Sequence, residues 1–67
     1  MKSYLVLYGI FCRTSFDTGH NTYQRTITCE PSDLPTEVAE TKTSLENRRP
    51  PEAEAWEITV TQIVPLS

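Results

Sequence analysis

Residues 3–13, Ser3-Tyr4-Leu5-Val6-Leu7-Tyr8-Gly9-Ile10-Phe11-Cys12-Arg13, decide how this chain folds. Aromatic and branched residues favour an extended backbone, along which side chains alternate between two faces. Tyr4, Val6, Tyr8, Ile10 and Cys12 then lie on one face, and Leu5, Leu7, Gly9 and Phe11 on the other. A strand that is apolar on both faces belongs in the middle of a sheet, shielded on both sides. The rest of the chain has to supply its neighbours and its covers.

Residues 22–30 alternate more cleanly. Tyr23, Arg25, Ile27 and Cys29 point one way and Thr22, Gln24, Thr26, Thr28 and Glu30 the other, which predicts a strand with one wet face. In residues 56–64, Trp56, Ile58, Val60 and Val64 share a face, while Glu57, Thr59, Thr61 and Ile63 share the opposite one, and Pro65 ends the strand. Between the first two strands, Asp17-Thr18-Gly19-His20-Asn21 reads as the hairpin turn. Gly19 and Asn21 tolerate positive φ, and Asp17 can bond its own backbone two residues on. Residues 32–49 read as a helix with Ser32 or Asp33 as its cap, Pro35 tolerated in the first turn, and Pro50-Pro51 as its stop. Leu34, Val38, Thr41 and Leu45 form its narrow apolar stripe, with Arg48 and Arg49 answering the dipole at its end.

The order ββαβ predicts an α+β fold in a single domain over residues 1–67. The expected sheet has three antiparallel strands in the order 2-1-3, with one helix packed on one face. Leu34, Val38 and Leu45 of the helix meet Tyr4, Val6, Tyr8, Ile10, Ile27, Ile58 and Val60. The opposite face keeps Leu5, Leu7, Phe11 and Ile63 among threonines, with no second helix to cover it. That face reads either as a homodimer interface, where two sheets stack, or as a docking surface for a different protein. A chain of 67 residues lies near the lower limit for one unaided core, which favours the homodimer.

The net charge of −3 is unevenly spread. Residues 1–29 carry Lys2, Arg13 and Arg25 against Asp17, whereas residues 30–67 carry eight acids against Lys42, Arg48 and Arg49. A basic stripe able to neutralise phosphates is absent, so direct nucleic-acid binding is disfavoured. Glu37 and Glu40 on the exposed side of the helix, with Glu52, Glu54 and Glu57 just beyond it, read as an ordinary solvated face or as an acidic patch that docks on a basic groove of a partner. The apolar start lacks the small-residue pattern of a cleaved signal, and no stretch is long enough to span a bilayer. The expectation is a cytoplasmic protein with no membrane contact and reduced thiols.

Asp17-Thr18-Gly19 also matches the catalytic tripeptide of aspartic proteases. Such enzymes need two aspartates sharing a proton, an apolar-glycine element downstream, and flaps. The only other glycine, Gly9, lies upstream, and His20 follows the motif where a small residue belongs. The tripeptide is read as a turn, and the chain as a non-enzyme. His20 has no partner nucleophile set by the sequence. Cys12, His20 and Cys29 are spaced eight and nine positions apart, unlike a compact zinc pattern, so neither a metal nor another cofactor is expected.

The opening Met1-Lys2-Ser3-Tyr4-Leu5-Val6-Leu7-Tyr8, the polar Gly19-His20-Asn21-Thr22 turn, the single helix and the closing Trp56-Glu57-Ile58-Thr59-Val60-Thr61 strand together resemble small orphan accessory proteins of phages and prophages. The resemblance is one of layout and spans nearly the whole chain. It implies a non-enzymatic factor working by protein–protein binding in the host cytoplasm, a class that includes inhibitors of host defences such as anti-CRISPR proteins. On that reading the acidic half occupies the basic channel of a nucleic-acid-handling defence complex. The competing expectation is a self-associating structural protein with no host target.

Overall fold

The computed structural model describes residues 1–66. Strands β1 (Lys2–Arg13) and β2 (Thr18–Cys29) form a long hairpin. A short 3-10 turn (Pro31–Asp33) leads into helix α1 (Leu34–Glu46), and β3 (Ala55–Pro65) closes the sheet. The sheet is antiparallel throughout in the order β2-β1-β3, so the doubly apolar strand is central, as its side-chain pattern requires.

Tyr4, Val6 and Tyr8 of β1 form the spine of the core. Ile27 and Cys29 of β2, Ile58 of β3, and Val38 and Leu45 of α1 pack around them, with Ile10, Tyr23, Leu34, Trp56 and Val60 at its margin. Packing of its apolar stripe, more than intrinsic propensity, holds α1 on the sheet. Two hydrogen bonds, one buried and one partly buried, fix the placement. The Tyr8 hydroxyl donates to the Val38 carbonyl at 3.1 Å, and Trp56 Nε1 donates to the Leu45 carbonyl at 2.9 Å. The helix thus runs along the sheet from the Cys29 end to the Trp56 end.

The hairpin turn lies four residues earlier than the Gly19–Asn21 pattern suggests. Residues 14–17 turn the chain, and Gly19, His20 and Asn21 sit in β2 opposite Cys12, Phe11 and Ile10. Thr14 is the cause. Its Oγ1 accepts the N–H groups of Phe16 (3.2 Å) and Asp17 (3.1 Å), and its own N–H donates to the Asp17 carbonyl at 2.8 Å. A hydroxyl can stand in for a backbone acceptor in this way. No described residue has positive φ, so the conformational freedom of Gly19 goes unused. Phe16 stands in solvent at the tip.

The helix also stops sooner than Pro50 demands. Asn47 ends it, with its N–H donating to the Thr43 carbonyl, and neither Ser32 nor Asp33 supplies a side-chain cap. Arg49 does not answer the helix end. It donates to the carbonyls of Ala53 (2.8 Å) and Glu54 (3.4 Å) and so ties down the connection to β3.

One assignment is reversed. β3 pairs Val60 with Tyr8 but Gln62 with Leu7, so Thr61 is an extra residue in a β-bulge. An inserted residue shifts the alternation by one and exchanges the faces beyond it. Ile63 therefore pairs with Val6 on the helix side, and Val64 pairs with Leu5 on the opposite side. Ile63 leaves the open face, and Val64 takes its place.

Candidate protein-contact face

Directly opposite residues share a face, so the side of the sheet away from α1 can be read row by row. Phe11 lies between His20 and Glu57, Gly9 between Thr22 and Thr59, Leu7 between Gln24 and Gln62, and Leu5 between Thr26 and Val64. An apolar ridge thus runs along the middle strand with amides and hydroxyls on both flanks. Leu5, Leu7 and Phe11 are half-buried by those flanks and lie outside the core, whereas Val6 and Tyr8 on the other face are 0% exposed. The difference measures what the helix covers and what it leaves open.

The ridge has a gap. Gly9 carries no side chain, and a hollow of about 520 Å³ opens there, walled by Phe11, His20, Thr22, Glu57, Thr59 and Thr61. The bulge and the glycine belong together. A Cβ at Gly9 would lie 3.2 Å from the Thr61 methyl, while the Thr61 hydroxyl donates to the Leu7 carbonyl at 3.1 Å. Glycine here lets the bulged strand approach the central one. At the same end the His20 ring packs on Phe11, with centroids 5.1 Å apart and planes at 51°. A second depression, along Pro35, Thr36, Ala39 and Glu40, is walled by one helix only.

The five acids picked out from the sequence do not share one surface. Glu37 and Glu40 lie on α1, Glu52 and Glu54 in the connection after it, and Glu57 on the open sheet face beside Phe11. Glu54 pairs with Arg13 at 3.9 Å, and Lys42 with Glu46 at the same distance. Glu40 and Glu52 are exposed and form no ion pair among the described residues.

The other candidates are dispersed. Asp17 accepts the Thr18 N–H through Oδ1 at 2.8 Å in the hairpin tip, while Asp33 lies beyond Cys29 at the far end of the sheet. Cys12 pairs with Gly19 and Cys29 with Lys2, so the two thiols sit ten β1 positions apart. At about 3.3 Å per residue that is roughly 33 Å, far outside disulfide reach. Burial pushes the Cys29 thiol above its ordinary pKa, and Glu37, Asp33 and Glu30 add to the shift in that order. It is a packed, protonated core group. Among the described residues no cluster of His, Cys, Asp and Glu could hold a metal, and no helix is long and apolar enough to cross a membrane.

The sequence pattern misses Val64, Gln62 and the Gly9 hollow. The adjacent apolar pair Ile63-Val64 is the signal that could have exposed the bulge, since a regular strand would bury only one of the two. Comparison with known proteins returns no matching family model, no matching curated protein and no matching solved structure.

Proposed function

We propose that this chain is a small non-catalytic accessory protein that works by protein–protein contact, and that the open sheet face makes the contact. The observation that carries the reading is the ridge of Leu5, Leu7 and Phe11 on a central strand whose other face is covered by α1. Three strands at about 4.8 Å spacing and 12 residues at about 3.3 Å give a face of roughly 600 Å². That approaches the roughly 800 Å² which each partner contributes to a standard interface. An apolar centre with a polar rim is also the anatomy such interfaces share.

The face carries one acid, Glu57, one histidine, His20, and one arginine, Arg13 at its hairpin end. Its occupant is therefore a protein surface that is apolar at its centre and close to neutral, recognised by packing. A second contact rests on Glu40 of α1 and Glu52 of the connection after it, each exposed and without an ion pair among the described residues. These would meet a basic groove, and the layout shared with phage accessory proteins makes a host nucleic-acid-handling defence complex the first target to assay.

Leu7→Glu and Phe11→Glu each place a charge on the ridge without touching the core. Both should abolish capture of a partner from host lysate, while circular dichroism stays that of the wild type. Equal capture by the wild type and both variants would remove the sheet face from the function. Reversing Glu40 and Glu52 to lysine should weaken binding to a basic target and flatten its salt dependence. Unchanged affinity would leave those acids as plain solvated surface.

A further inference from the structure

The sheet has two edges, and they are not alike. β3 is interrupted by the Thr61 bulge and ends on Pro65, which lacks an amide. Bulges and prolines of this kind stop an edge from pairing further. β2 has neither. Its ladder to β1 runs unbroken from Thr18 to Cys29, so its outer side presents a regular row of N–H and C=O groups 12 residues long. α1 packs more heavily on β3 than on β2, and it reaches β2 through the bond that Arg25 donates to Thr41 Oγ1.

We infer that β2 pairs antiparallel with β2 of a second copy about a two-fold axis at Gln24. The strand is self-complementary in that register. Gln24 faces the partner's Gln24, and Thr22 faces the partner's Thr26, on the open side of both sheets. On the helix side Arg25, which keeps its bond to Thr41 of its own helix, faces the partner's Tyr23. Threonine pairs and amide pairs are favourable cross-strand neighbours, and a guanidinium stacks well on a tyrosine ring. Shifting the axis to Arg25 would set the two arginines against each other. Shifting it to Tyr23 would set Tyr23 against the partner's Tyr23 but leave Arg25 opposite the partner's Asn21, giving up the guanidinium–tyrosine pair made twice in the Gln24 register.

Charge favours the same partner. Each copy carries a net charge of −3, yet β2 contains no acid, and Arg25 is its only Lys or Arg. Two copies approaching edge to edge therefore meet at their least repulsive strand. Pairing about an axis normal to the sheet keeps both helices on one face. The result is a six-stranded sheet whose two open faces lie side by side, which doubles the contact surface without covering it. The inference stands on the edge alone and does not depend on the open face having a target.

The test is sedimentation equilibrium of the full chain with register-specific charges. Thr22 and Thr26 are both exposed, so substitution leaves the core alone. In Thr22→Lys/Thr26→Lys each lysine faces a lysine across the axis, and the dimer dissociation constant should rise about ten-fold or more. In Thr22→Glu/Thr26→Lys each glutamate faces a lysine, and dimerisation should return to the wild-type level or better. As an independent reading, Gln24→Cys in a Cys12→Ser/Cys29→Ser background should form an intermolecular disulfide under copper-catalysed air oxidation. Residues directly opposite lie about 4.5–5.5 Å apart at Cα, within disulfide range.

A wild type that stays monomeric at about 100 μM, weaker than the binding expected of an edge ladder plus its side-chain pairs, overturns the inference. So does a dimer that responds equally to both charge variants, or one that cross-links through Phe11→Cys and not through Gln24→Cys. The last outcome would mean that the sheets stack face to face. A dimer intact in Leu7→Glu but lost in the double-lysine variant separates this inference from the proposed function of the open face.

Discussion

Filling the Gly9 hollow by a single methyl tests the bulge and the open face together. The Gly9 backbone is not in the positive-φ region, so alanine is allowed there. Gly→Ala at a compatible position stabilises by about 0.4–1 kcal/mol through the unfolded chain. Here the new Cβ would meet the Thr61 methyl at 3.2 Å, inside the carbon–carbon optimum of about 3.5–4.0 Å. Crowding of this kind costs about 1–3 kcal/mol when the neighbour cannot move. Thr61 is held by its bond to the Leu7 carbonyl, so it yields poorly. Gly9→Ala alone should therefore be neutral to about 2.5 kcal/mol destabilising. Thr61→Ser keeps the hydroxyl bond and removes the methyl. In that background Gly9→Ala should recover its stabilisation, giving a coupling of about 1–3 kcal/mol, the crowding relieved. Urea denaturation of the four proteins at a common m-value reads the cycle, with a parallel shift of about 4–8 °C in Tm per kcal/mol. Effects that add to within about 0.3–0.5 kcal/mol would mean that Thr61 is not against Gly9 and that the bulge lies elsewhere.

Thr14→Ala removes the acceptor that builds the hairpin turn and should cost about 1 kcal/mol, whereas Gly19→Ala, with open space around it and no positive φ, should be neutral or stabilising by up to about 1 kcal/mol. The reverse order in thermal melts would restore the turn to Gly19. Tyr8→Phe deletes a buried hydrogen bond to α1 and should lower stability by about 0.5–1.5 kcal/mol; a variant as stable as the parent would detach the helix from that ring. The Cys29 thiol, raised by burial and then by Glu37, makes a signed pH prediction. Above its ordinary pKa the unfolded thiol ionises while the folded one stays protonated, so the unfolded state binds fewer protons and stability falls as pH rises. Cys29→Ala should lose less stability than the wild type between pH 8 and 10, and parallel profiles would refute the shift.

The architecture was legible because one strand was decisive. Tyr4, Val6 and Tyr8 had to face a cover, Leu5, Leu7 and Phe11 had to face away from it, and only a central position satisfies both. The helix stripe of Val38, Thr41 and Leu45 was equally clear from its spacing. Local chemistry that competes with the ordinary signals was not legible. Glycine and asparagine are turn residues by propensity, but the Thr14 hydroxyl made a turn where neither was needed. Period two assigned every side chain of β3 correctly up to Val60 and failed beyond it, because one inserted threonine exchanges Ile63 with Val64. The hollow at Gly9 could not be seen from one strand at all, since it is made by residues of all three.

Charge on this chain is sorted by surface, and that makes its contacts separable. Of nine acids only Glu57 reaches the open sheet face, and none lies in β2. Contacts made by the ridge of Leu5, Leu7 and Phe11 bury apolar area, which ordinary salt leaves intact. Contacts made by Glu40 and Glu52 at the helix side are Coulombic and solvent-exposed, and lose strength once the Debye length falls to about 8–10 Å near physiological salt. Raising ionic strength from low to about 0.5 M therefore assigns a captured partner to a surface before any residue is changed. A complex that survives is held by the sheet, and one that dissolves is held by the acids. Edge pairing through β2 differs from both, since strands joined backbone to backbone respond to the Lys–Lys variant and not to salt on the wild type.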